Sequence, residues 1–196
     1  MNEILSAALR YLDDGCPVVP VDPDVKKDKV ALVKWKPFQT QLPEAQQVEE
    51  WWTRWPDAMI GGITGAFSQR TVIDTDPPDG EDHLEPYLPE NLETPTLETP
   101  RGGKHRVFQY FKPAPNTSNL CGLVRVDCRN DGGYHVLPPS RNSEGDTYKW
   151  LIHPDACEVL PVPDALINNI ISFYAYKGSS QGSAGTSQTS RILTLD

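Results

Sequence analysis

VIDTDPPDG, residues 72–80, carries two aspartates one residue apart at the end of an apolar run, then turns on two prolines. Aspartate has low strand propensity and fits a core poorly, and two side by side repel unless a positive charge stands between them. Side chains two apart on a strand share a face, so Asp74 and Asp76 point one way, Ile73 and Thr75 the other. Read as chemistry, such a pair can hold one metal ion or bridge two, and carboxylate oxygens suit Mg²⁺ or Mn²⁺. Read as structure, Asp-Pro-Pro-Asp-Gly is ordinary turn sequence with solvated carboxylates. The motif alone leaves both open.

The surrounding chain predicts an α+β domain. Before the motif, residues 3–13 have helical spacing (Ile4, Ala8, Leu12) and stop at Gly15, and CPVVPVDP reads as a short strand. PEAQQVEEWWTRW predicts a second helix with Val48, Trp51, Trp52 and Trp55 on one face, read as core. From residue 58 the pattern becomes strands: AMIGGITG, RTVIDTD, KHRVFQYF, LVRVDCR, GYHVLPPS, YKWLI and a short CEVL. DALINNIISFYAY predicts a closing helix. Residues 177–196 turn to Gly, Ser, Gln and Thr, so the expected division is a domain over 1–176 and a linker over 177–196 leading to a further domain.

Composition bounds the function. Charged residues at 23% and hydrophobic residues at 38% describe an ordinary globular chain. The net charge of −9 speaks against a protein that coats DNA non-specifically, not against an enzyme gripping nucleic acid at a local patch. No apolar run spans a membrane and the first residues do not read as a secretory leader, so a cytoplasmic location and no membrane partner are expected. Cys16, Cys121, Cys128 and Cys157 are expected to be reduced, and with His83 and His135 they make no tetrahedral zinc set by spacing.

Two further stretches carry charge worth chemistry. In VRVDCRND, residues 124–131, Val124, Val126 and Cys128 would share an apolar face and Arg125, Asp127 and Arg129 the other. That polar face is either an ion-pair ladder or a third metal carboxylate beside phosphate-binding arginines. In TPRGGKHRVFQYF, residues 99–111, a Gly-Gly turn lies between Arg101 and Lys104, His105 and Arg106. Backbone N–H groups beside positive side chains make an anion cradle, although P-loop spacing is missing. Five lysines over 26–36 form either a solvated loop or a contact for template or primer phosphates.

Asp-x-Asp after an apolar strand, then Gly-Gly-x-His opening a strand, then hydrophobic-Asp on a strand resembles the three-motif pattern of the archaeo-eukaryotic primase superfamily. GGITG before the first motif and LPPS after the third strengthen the likeness to its primase–polymerase (Prim-Pol) branch, found on plasmids, phages and helicase-fused replication proteins. The likeness covers residues 1 to about 175. It implies a mixed α/β catalytic domain with an RRM-like sheet. It also implies a template-dependent DNA polymerase/primase with Asp74, Asp76 and Asp127 as catalytic carboxylates on a two-metal Mg²⁺ or Mn²⁺ site. His105 would meet the phosphates of the incoming nucleotide, with Arg101, Gly102, Gly103 and Lys104 in the matching turn. Arg129 and Ser140 follow by position only. The implied partners are DNA template and primer, (d)NTP and a fused or associated helicase, with the domain a monomer. Two other readings remain: a non-catalytic nucleotide- or nucleic-acid-binding module of the same fold, and a metal-dependent nuclease.

Overall fold

Asn2 accepts the Ile4 N–H on its side chain and so caps α1, Glu3–Asp13, whose Ala8 and Leu12 are buried. A computed structural model of the chain, in which residues 2–182 are described, continues with β1, Val18–Val21, and α2, Ala45–Arg54. Val48 and Trp52 of α2 are buried, while Trp51 and Trp55 are half-buried, so the expected aromatic face is only partly core. Then come β2, Met59–Ile63; β3, Arg70–Thr75; α3, Gly80–Leu84; β4, Thr96–Glu98; and β5, Lys104–Gln109. The chain closes with β6, Val126–Arg129; β7, Tyr134–Leu137; β8, Lys149–Ile152; and α4, Asp164–Gly182.

The strands form two antiparallel sheets. One has the order β1-β2-β7, the other β6-β3-β5-β4-β8. Within the larger sheet β3, β4, β5 and β6 lie in the spatial order fourth-first-third-second, the arrangement of an RRM-like sheet. The helix α3 fills the first crossover, and a 3₁₀ turn at Leu120–Gly122 stands where the second helix of that motif would be. The architecture is α+β, as expected.

Period-two alternation splits the core into two large clusters and a smaller one of Val19, Phe38 and Ile63. On one side Ala8, Leu12, Val48, Trp52, Ile60 and Leu137 pack α1 and α2 against the small sheet. On the other, Ile73, Phe108, Val126, Cys128, Leu166 and Ile170 pack α4 behind the large sheet. The other face of the large sheet, carrying Asp74, is left for the site.

Several local expectations change. CEVL is not a strand; its Leu160 carbonyl instead accepts the Gln109 N–H at 2.9 Å. Strand β6 starts at Val126, so Val124 is exposed and Arg125, at φ +61°, turns away to pair with Asp79 at 3.0 Å. Arg125 is therefore outside the ladder that alternation predicted. The closing helix runs to Gly182, past the boundary expected at 176, and residues 183–196 of the expected linker lie outside the described residues. Among the described residues no helix is long and apolar enough to cross a membrane.

Candidate active site

β3 is the middle strand of the site, with β6 on one side and β5 on the other. Antiparallel register sets Asp74 opposite Asp127 and, on its other flank, opposite His105. Directly opposed residues share a face, so the three side chains form a row across three strands. Asp76 lies just past the end of β3, exposed, with its N–H donated to the Arg125 carbonyl at 2.9 Å. Asp74, Asp76 and Asp127 line one open cleft of about 460 Å³, together with Lys29, Arg101 and Arg129.

Each carboxylate has a different setting. Asp74 is 6% exposed; burial works to raise its pKa, but the charge of His105, then of Lys29 and Arg129, holds it at about 2. His105 Nε2 stands 3.2 Å from Asp74 Oδ1, yet neither atom has a well-formed hydrogen bond. Asp127 is tied down: it accepts the Asn119 N–H at 3.0 Å, the Ser118 hydroxyl at 3.1 Å and the Arg129 guanidinium at 2.7 Å. Arg129 also reaches to 3.9 Å from Asp74. Although it reaches solvent, Asp76 is pushed up, first by partial desolvation at the cleft and then by the negative charges of Asp74 and Asp127, against the pull of Lys29.

Among the described residues no three His, Cys, Asp or Glu side chains converge to hold one ion. Arg129 stands between two of the carboxylates, 2.7 Å from Asp127 and 3.9 Å from Asp74. The donor set itself suits a hard divalent cation, with three carboxylates at one cleft and an Asp74 oxygen lacking a good partner.

Beneath the row lies a residue that spacing did not reveal. His135 of β7 brings its Nδ1 to 3.2 Å from His105 Nδ1, joining the two sheets. Burial, then the neighbouring His105, push it well below the usual imidazole range, so its ring is neutral. A polar residue in the apolar run YHVL was the available signal. Tyr148, just before β8, also lines the cleft and is 5% exposed. Its hydroxyl is raised by burial, which outweighs the pull of the Lys29 charge.

The basic turn resolves into separate parts. Arg101 faces the cleft, and Gly102, at φ +82°, borders a neighbouring open pocket. The N–H groups of Gly102 and Gly103 are not a free anion cradle, because they close the turn onto the Thr99 carbonyl (2.9 Å) and hydroxyl (3.0 Å). Lys104 is not with the others. Strand alternation turns it to the face opposite His105, where it pairs with Glu81 at 2.8 Å beside Arg106, whose nitrogens meet the same carboxylate at 2.6 and 2.8 Å. Ser140 is likewise elsewhere: fully buried, its hydroxyl accepts the Ile60 N–H at 2.7 Å and braces the small sheet.

No curated protein matches the chain. The family model of the bifunctional DNA primase/polymerase, N-terminal, matches residues 8–165, from within α1 to the start of α4, and so spans every residue of the cleft. On that match, and with the α+β fold it requires, the chain belongs to the Prim-Pol family of bifunctional DNA primase/polymerase N-terminal domains.

Proposed function

We propose that this domain, a nucleotidyltransferase of primase/polymerase type, joins nucleoside triphosphates to the 3′ end of a primer paired to a DNA template in this cleft. The observation that carries the reading is the row Asp127, Asp74 and His105, in register on three adjacent strands, with Asp76 at the same cleft. Mg²⁺ or Mn²⁺ held by Asp74, Asp76 and Asp127 would supply charge that lowers the pKa of the primer hydroxyl and neutralises the phosphates. The like-charge repulsion that raises Asp76 is what such a cation would relieve.

The chain's own groups do the positioning. Arg101 meets the triphosphate from the β4–β5 turn, while His105, buried beside Asp74 and lining the smaller cavity behind it, would reach the phosphates through its Nε2, which lacks a well-formed hydrogen bond. Arg129 exchanges Asp127 for phosphate oxygens, for which a guanidinium fork is well shaped. The primer 3′ oxygen then forms a bond to the α-phosphorus as the bond to the pyrophosphate oxygen breaks. In-line displacement of this kind needs alignment and charge neutralisation more than covalent help.

The Arg129–Asp127 contact also favours a second reading, a nucleotide-binding module of the same fold in which guanidinium stays between the carboxylates. Following a labelled primer and released pyrophosphate together, on a primed template with Mg²⁺ or Mn²⁺, separates the readings. Polymerisation lengthens the primer with one pyrophosphate per nucleotide added. A nuclease shortens it, and a binding module changes neither.

A further inference from the structure

The five-lysine segment is not one uniform basic patch. Lys27 is committed to Asp22, at 3.0 Å, and Asp24, at 4.0 Å. Lys26, Lys34 and Lys36 are exposed and absent from the cleft wall. Lys29 alone of the five lines the cleft, and it also borders a smaller cavity of about 180 Å³ shared with Asp74, His105 and His135.

The loop is built to deliver it. The Asp22 N–H donates to the Val30 carbonyl at 2.8 Å, which closes the loop at its base, and Asp22 and Asp24 side chains accept the Asp24 and Lys26 N–H groups. The Tyr134 hydroxyl donates to the Lys29 carbonyl at 2.6 Å and fixes its backbone from the small sheet. Asp28 and Lys29 both sit at positive φ, +39° and +55°, a conformation that side-chain-bearing residues adopt rarely and one seldom kept without a use. Its charge is felt by Asp74, Asp76 and Tyr148. Among the described residues it closes no ion pair, unlike Lys104, Arg106, Arg125 and Arg129.

We infer that Lys29 is a nucleotide-binding residue that grips the β- and γ-phosphates of the incoming triphosphate from the loop side of the cleft, which Arg101 also lines. An uncommitted ammonium with three donors, held above a row of carboxylates, complements a ligand whose other side is neutralised by metal. The inference rests on the nucleotidyl-transfer reading and assigns to the triphosphate a residue whose segment the sequence marked only as a solvated loop or a contact for template or primer phosphates.

Calorimetric titration with an α,β-imido deoxynucleoside triphosphate and Mn²⁺, using wild type, Lys29→Ala, Lys29→Arg and Lys27→Ala, tests it. Lys29→Ala is expected to weaken triphosphate binding by about 10- to 100-fold, the scale of one charge-assisted contact. The monophosphate should bind Lys29→Ala and wild type alike, Lys29→Arg should recover part of the loss, and Lys27→Ala should match wild type. Triphosphate binding unchanged in Lys29→Ala overturns the assignment, as does a loss confined to primer–template affinity, which would make Lys29 a DNA contact and leave the polymerase reading intact. Wild type that binds no triphosphate overturns both.

Discussion

A single methyl group tests how closely the site is built. Gly103 packs so tightly against β3 that a Cβ there would collide with the Thr75 carbonyl oxygen, a backbone atom that cannot rotate away. Thr75 lies between Asp74 and Asp76, so any shift is felt at both. Gly103→Ala is expected to cost about 1–3 kcal/mol, the usual scale of overpacking, in urea unfolding, and to slow extension more than a surface substitution of equal cost. The Gly-Gly turn was legible in sequence as a special turn, but its purpose was not. Anion cradles and close strand approaches both call for glycine, and only the hydrogen bonds to Thr99 decide between them. Asp74, Asp127 and His105 were readable because each belongs to a local motif. His135 and Tyr148 were not, since their partners lie 30 or more residues away in sequence and no spacing rule reaches that far.

Between elements, the far side of the large sheet is clamped by one carboxylate. Glu81 of α3 accepts from Lys104 and Arg106 of β5 and from the Thr75 hydroxyl of β3, so it ties α3 behind the Asp74–Asp76 segment. Burial works to raise Glu81, but the hydrogen bonds from Arg106, Lys104 and Thr75 outweigh it and hold the group at about 2, below its ordinary 4.5. A carboxyl depressed in the folded state stabilises fully above its unfolded pKa and loses that contribution as pH falls through the folded one. Wild type should therefore melt higher than Glu81→Gln at pH 7, with the gap closing between pH 4.5 and 2; a gap constant over that range would show the clamp to be inert. The side chain is 35% exposed, so solvent screens part of the effect. The sequence showed the long strands and helices α1, α2 and α4 through their periodicity. It hid β4 and α3, of three and five residues, because so few positions complete no period.

Across the whole molecule, the two larger hydrophobic cores meet at a polar seam. Trp52 anchors the core under α1 and α2, Leu166 the core under α4, and the His105–His135 contact crosses between the sheets. If the seam couples them, Trp52→Ala and Leu166→Ala, costing about 3–5 and 2–5 kcal/mol, should each lower the midpoint of one cooperative transition. Two separated transitions in calorimetry would show the cores unfolding independently. Function also belongs to this scale, because the cleft draws on the loop before α2, the β4–β5 turn, the loop before β8, strands β3 and β6 of the large sheet and Met59 of the small one. The measurement that bears most directly on the account is the single-turnover rate of primer extension by wild type, Asp74→Asn and Lys104→Ala. Asp74→Asn removes a carboxylate from the row, whereas Lys104→Ala touches only the opposite face. The account predicts a loss of about 100- to 1,000-fold or more for Asp74→Asn and a far smaller one for Lys104→Ala. Extension by Asp74→Asn at the wild-type rate would contradict it.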